Sequence, residues 1–323
     1  MPMMFSGHSP FAWIAFTALI AIILALDLGL FHRKPREMSV KEALWATAGY
    51  VALALCFNAW IYWEYGHAKA VQFLTGYFIE YALSMDNILV FVVIFSYFQV
   101  PSQLQMRTLL WGIIGSLILR AILILAGLAL LETFDWLVIV LGIFLIYTGV
   151  RTMQMGSEPA ELEKRRIIRV LQRFIPVTPS YHGEKFFTKS ESGKALATPL
   201  FLVLVVLNVT DVLFAFDSVP AVFAITRDPF IVYTSNVFAI LGLRTLYFAL
   251  AGIIEKFRYL KFGLSLVLIF IGAKMIFNYP DWLPDIPNEW ALIITAALIF
   301  GSILASIVQS YRDKKDVRMD APQ

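Results

Sequence analysis

The chain has 323 residues, 59% of them hydrophobic and only 15% charged. A soluble domain carries about 25% charged residues, so this deficit, with a mean hydropathy of +0.75, excludes an ordinary water-solvated domain and points to lipid as the solvent. A net charge of +3 gives no reason to expect a nucleic-acid partner, and the single cysteine, Cys56, excludes a disulfide framework and a thiolate metal cage.

The N-terminal ten residues put no basic group ahead of the first apolar run, unlike a cleaved signal peptide, so that run is read as a retained membrane helix. A spanning helix needs about 20 predominantly apolar residues. By that measure the sequence predicts nine segments, at 11–31, 43–63, 71–98, 106–131, 135–152, 199–225, 232–255, 260–278 and 290–310. The fold expected is therefore an all-α polytopic membrane domain. The third segment is interrupted by Glu80, Ser84, Asp86 and Asn87, and the sixth by Asp211, Asp217 and Pro220. The stretch 154–198 is the one long polar connection, and it reads as a cytoplasmic linker. Within it, Leu162, Ile167, Ile168 and Leu171 fit either a solvated linker helix or an amphipathic helix on the inner leaflet.

Basic residues gather on alternate connections: Arg33, Lys34, Arg36 and Lys41, then Arg107, the 154–198 stretch, Lys256 to Lys261, and Arg312 to Arg318. The opposite connections hold Lys69 and Arg227 and are acidic at 132–135 and 281–289. Cytoplasmic loops carry the excess of Lys and Arg, so the N-terminus is expected outside and the C-terminus inside, in the inner (cytoplasmic) membrane of a cell.

Segments three to five (71–152) correspond in order to segments six to eight (199–278). Glu80 and Asp86 match Asp211 and Asp217, Arg120 matches Arg244, and Gly149-Val150-Arg151 matches Gly272-Ala273-Lys274. An odd number of crossings per unit makes the second unit enter from the other side. That inverted repeat is the plan of many secondary transporters, with substrate held at the midplane.

Carboxylates inside a membrane are costly and by default mark function. On a straight helix residues six apart point about 120° from each other. Glu80, Ser84 and Asn87 share one stripe, and Asp211, Ala215 and Ser218 share its counterpart. Asp86 and Asp217 fall off those stripes unless the helices unwind, which is expected at 84–87 and near Pro220. Four carboxylates and the Asn87 amide could then converge. Such an all-oxygen set suits Mg²⁺, Ca²⁺ or Mn²⁺, while His8, His32, His67 and His182 lie near helix ends or in loops, which disfavours zinc. Arg120 and Arg244 are read in two ways: holding the empty site or competing with the cation, or forming fixed ion pairs. Asn208 and Thr210 are polar neighbours in the sixth segment. Asp27 is read either as part of an inner gate or, in preference, as hydrogen-bonding near the interface. A pure glue role for the acids is disfavoured, because four acids exceed two arginines.

The stretches Leu26-Asp27-Leu28-Gly29-Leu30-Phe31-His32-Arg33-Lys34 and Lys41-Glu42-Ala43-Leu44-Trp45 stand beside the two acidic motifs, Glu80 to Asn87 and Asp211 to Pro220. Together they resemble the TerC family of integral membrane proteins, and within it the Alx-type branch. The resemblance implies metal-ion homeostasis, manganese as cargo, export as its direction, and ligation by Glu80, Asp86, Asn87, Asp211 and Asp217. Ser84, Asn208, Thr210, Ser218, Arg120 and Arg244 would support those ligands or balance their charge. No phosphate-binding loop is present, so the expectation is a secondary transporter exchanging Mn²⁺ for protons, with no resident cofactor and no enzymatic activity. The alternative is a non-transporting membrane protein that senses metal or serves as an assembly scaffold.

Overall fold

In hydrocarbon each backbone N–H and C=O must be satisfied within its own segment, which leaves long apolar runs the helix as their solution. The computed structural model describes residues 8–31, 38–154, 177–189, 195–251, 259–279 and 285–319. Among them, nine helices are long and apolar enough to cross a membrane. They are α1 (Pro10–Phe31), α2 (Val40–Tyr65), α3 (His67–Tyr97), α4 (Ser102–Thr133), α5 (Leu137–Gln154), α6 (Pro199–Phe223), α7 (Pro229–Leu250), α8 (Leu260–Phe277) and α9 (Asn288–Met319). Each of the nine segments read from the sequence is thus a helix, and α4 and α9 extend beyond their apolar cores into polar ends. The strands described are β1 (Phe187–Lys189) and β2 (Ala195–Ala197), an antiparallel pair in the long connection. The proposed helix over 158–174 lies outside the described residues.

Local chemistry sets the ends. Ser39 and Glu42 form a reciprocal capping box at the start of α2. Thr198 and Asp228 accept backbone N–H groups at the starts of α6 and α7, each followed by a proline preset for a first turn. Gly66 alone joins α2 to α3, at φ +86°, a region that only glycine enters cheaply.

Helix α7 is almost wholly buried and packs against α2, α3 and α4. That position explains its composition. Hidden from lipid, it carries Thr234, Ser235, Asn236, Arg244 and Thr245, all buried. The peripheral helices do the reverse, turning Phe11, Ile14, Ile22, Trp45 and Trp63 outward to lipid.

Packing follows the repeat. Exchanging α3–α5 with α6–α8 turns the contact of α3 with α7 into that of α6 with α4, and both are present; the contacts α3–α6, α4–α7 and α5–α8 map onto themselves. The α5–α8 crossing is the most extensive of these. A Cβ on Gly272 would sit 2.6 Å from the Gly142 carbonyl oxygen, and one on Gly149 would sit 2.8 Å from that of Ser265. Since Gly149 corresponds to Gly272, and Gly142 therefore to Ser265, these two approaches are one contact repeated by the internal symmetry. Small residues let membrane helices come this close. Gly272→Val should therefore destabilise the protein by at least about 1–3 kcal/mol, the usual cost of overpacking, whereas the same change at Gly49, which has open space around it, should cost far less. Thermal melting in detergent would compare them.

Helices α3 and α6 run unbroken through 84–87 and Pro220. This differs from the unwinding expected above. Pro220 lies in the last turn of α6 and the helix continues through it without a break, and buried side chains rather than freed carbonyls compensate the acids.

Candidate functional site

Glu80, Arg120 and Asp211 sit near the middles of α3, α4 and α6 and meet there. Their exposures are 0%, 1% and 4%. Arg120 donates from Nε and Nη2 to the two oxygens of Asp211, at 3.0 and 2.8 Å, which is the planar fork that suits a carboxylate. Its Nη1 donates to Glu80 Oε1 and reaches Ser218 Oγ at 3.3 Å and Asn236 Oδ1 at 3.4 Å. Asn236 returns its amide N–H to Glu80 Oε2 at 2.9 Å. The Ser116 hydroxyl donates to Asp211, and that of Ser84 lies 3.5 Å from Glu80. One guanidinium thus bridges an acid from each repeat unit. Two carboxylates against one arginine leave the cluster with a net charge of −1, held by hydrogen bonds from both units.

The structure places the other expected residues differently. Asn87 is buried, and its Oδ1 has no hydrogen-bond partner among the described residues. Asp86 lies on the helical backbone of α3, and its side chain lies outside the described set. Asp217 is half-buried on another face of α6, beside Thr148 and Arg151 of α5, as six residues of straight helix require. Among the described side chains, Glu80 and Asp211 converge and Asp217 stands apart from them. Asn208 and Thr210 bond to carbonyls of their own helix, at Leu204 and Val206, and take no part in the cluster.

Arg244 forms an ion pair instead with Asp27 of α1 at 2.8 Å, and the Tyr50 hydroxyl donates to the same carboxylate at 2.6 Å. Asp27 is thus an ion-pair partner of a buried arginine, beyond the interfacial hydrogen bond expected of it. A cavity of about 20 Å³ has Ser116, Asp211 and Arg244 as its polar lining and Phe91, Leu207 and Ile240 among its apolar walls. A void needs roughly 10–15 Å³ to admit one water. Among the described residues no group of three or more His, Cys, Asp or Glu is poised on a metal; a guanidinium stands between the two central acids.

Ser116, Asn236 and Tyr50 were not singled out from sequence. The signals were there for two: Ser116 is one turn before Arg120 on the same face, and Asn236 is an amide within an apolar span. Tyr50 offered none, since its role depends on where α1 packs.

A second polar cluster lies at one end of the bundle. Asp228 accepts from Lys69 at 2.5 Å and contacts His8 at 2.7 Å, while the His8 ring stacks on Phe230. Burial raises the Asp228 carboxyl, but hydrogen bonds and charge from His8 and Lys69 outweigh it and bring it from 3.8 down to about 2. A depressed folded value means the stabilisation is complete above the unfolded value and is lost as pH falls toward 2. Wild type should therefore lose melting temperature between about pH 4 and 2 more steeply than Asp228→Asn, which has no carboxylate to titrate. Melts in detergent across that range would check it.

Among the described residues, nine apolar helices of spanning length and a buried two-acid, one-arginine cluster define a polytopic integral membrane protein. The chain belongs to the TerC family: the family described as "Integral membrane protein TerC family" matches residues 65–317. It is 49% identical over 319 residues to "Uncharacterized membrane protein STKORF319" of Myxococcus xanthus, covering 98% of each chain. It is 43% identical over 309 residues to "Putative membrane-bound redox modulator Alx" of Escherichia coli, covering 93% of this chain and 94% of that one. The protein of the same name from Photorhabdus laumondii is 44% identical over 280 residues, covering 84% and 87%. No solved structure matches the chain.

Proposed function

We propose that the protein is a secondary transporter that carries Mn²⁺, or a related hard divalent cation, out of the cytoplasm in exchange for protons. The observation that carries this reading is the convergence of Glu80 and Asp211 on Arg120. One acid from each half of an inverted repeat meets at mid-helix, in a buried hydrogen-bonded cluster with one formal negative charge to spare. In the described conformation Arg120 occupies the place between the acids that a cation would take, as a tethered counter-ion that substrate must move aside. Asn87, with its unsatisfied oxygen, supplies a neutral ligand. Asp86 completes the set on α3, and Asp217 serves the path along α6. Asymmetry of the loop charges supports a cytoplasmic-membrane location with the N-terminus outside.

Proton exchange follows from the ligands. Metal and protons compete for the same carboxylate oxygens, so metal affinity falls with pH. An alkaline cytoplasm favours loading, and protons return on the reverse step. A scaffold or sensor role is the rival reading, because a buried charged cluster could also serve assembly. The redox wording in the names of the Alx relatives does not carry over to this chain as internal dithiol chemistry, since this chain has one cysteine.

Purified protein in liposomes, with a Mn²⁺ indicator inside and a pH-sensitive dye, tests the proposal. Mn²⁺ flux should accelerate under an opposing pH gradient and move protons the other way. Flux indifferent to the gradient would point to a channel, and metal binding without flux would favour the scaffold or sensor.

A further inference from the structure

The two buried arginines occupy equivalent places in the repeat yet have unequal partners. Arg120 holds the acid of its own unit, Glu80, and also that of the other unit, Asp211. Arg244, its counterpart, is turned away to Asp27 on α1, which lies outside both units. Applying the internal symmetry to the Arg120 contacts predicts a second arrangement. In it Arg244 reaches Asp211, and Asn87 stands to Arg244 as Ser218 now stands to Arg120.

Two features favour that second arrangement. Asp211 and Arg244 line the same small cavity of about 20 Å³. The Asn87 oxygen, whose counterpart Ser218 contacts Arg120 at 3.3 Å, is buried without a partner among the described residues. Asp27, by contrast, is 13% exposed at its side chain and keeps the Tyr50 hydroxyl. Losing Arg244 would therefore cost it less than losing a partner would cost a fully buried acid.

We propose that Arg244 is a second, mobile counter-ion of Asp211, stored on Asp27 in the described conformation and crossing the cavity to discharge the site. Combining the Arg120–Glu80 contact of the described conformation with the Arg244–Asp211 contact of its symmetry image pairs each acid with the arginine of its own unit. The cluster passes from a net charge of −1 to neutral. A bound cation then loses its electrostatic hold, so the arrival of Arg244 is the release step. Asp27 sets the bias between the two arrangements. This rests on the transport reading for its purpose, though not for its test.

The test is an experimental structure of Asp27→Asn without metal. The guanidinium of Arg244 should lie within hydrogen-bond distance of Asp211, filling the void. Arg244 left beside residue 27 and Tyr50, with the void still open, would overturn the proposal. Should Asp27→Asn fail to fold, Asp27→Asn/Arg244→Gln removes both charges together and keeps the balance. In that double variant Mn²⁺ should still bind but leave about tenfold more slowly in stopped-flow chelation, within the ordinary range of coupling between sites. Unchanged release would mark the pair as merely structural. If wild type binds no Mn²⁺, the transport reading fails, and the position of Arg244 in an experimental structure of either Asp27→Asn or Arg120→Gln decides the exchange on its own.

Discussion

Arg120→Gln should cost about 3–5 kcal/mol of stability, the penalty for stranding buried charge when one member of an ion pair is removed. The change leaves Glu80 and Asp211 facing each other, 0% and 4% exposed, without a cation. Asp211→Asn should be far milder, about 1–2 kcal/mol, since it keeps a side chain of the same shape and removes a charge that was in excess. Glu80 and Arg120 then balance one to one. A fixed structural clamp predicts another order, in which losing the bidentate Asp211 contacts to Arg120 is at least as damaging as losing Arg120 itself. Equilibrium unfolding in detergent, read by tryptophan fluorescence, separates the two orders.

The second large effect is on metal binding. Even an outer-shell partner typically contributes 10–100-fold to metal affinity, so removing a central carboxylate should cost more. Glu80→Gln and Asp211→Asn are each expected to weaken Mn²⁺ binding by at least about 100-fold. Asp217→Asn should stay within a few-fold of wild type in binding while slowing flux, because Asp217 lies beside Thr148 and Arg151, away from the central pair. Calorimetric titration with Mn²⁺ gives the affinities. Equal losses at Asp211 and Asp217 would mean that α6 turns to bring both onto the ion.

Much of this architecture was legible in the sequence, because a bilayer leaves few options. The nine apolar runs are each a helix among the described residues, and the paired acids marked the two helices whose middles meet. The stripe argument also placed Asp217 off the Asp211 face. What misled was the inference that the helices must unwind to bring it back. Glu80 and Asp211 share Arg120 as partner, and that pairing depends on α4 lying against α6, which spacing along the chain does not reveal. The same holds for Asp27. Its distance from Arg244 in sequence hides that α1 and α7 bring them together. Asn236 was overlooked because a single amide in an apolar span is a weak mark, whereas its burial in the most enclosed helix makes it a strong one.

The position of the arginines also bears on why a protein would keep such a cluster. A buried ion pair is poor value as a source of stability, since apolar residues of similar volume often do as well or better. An acid pair bridged by one arginine, with a second arginine across a small void, makes more sense as a device with two arrangements than as glue.

The most direct measurement is Mn²⁺ flux into proteoliposomes carrying wild type or Asp211→Asn at equal protein density. The expected result is flux in wild type and none above protein-free vesicles in the variant, whose melting temperature stays within about 5 °C of wild type. Equal flux in the two, or no flux in wild type, would contradict a transport site built on Glu80 and Asp211.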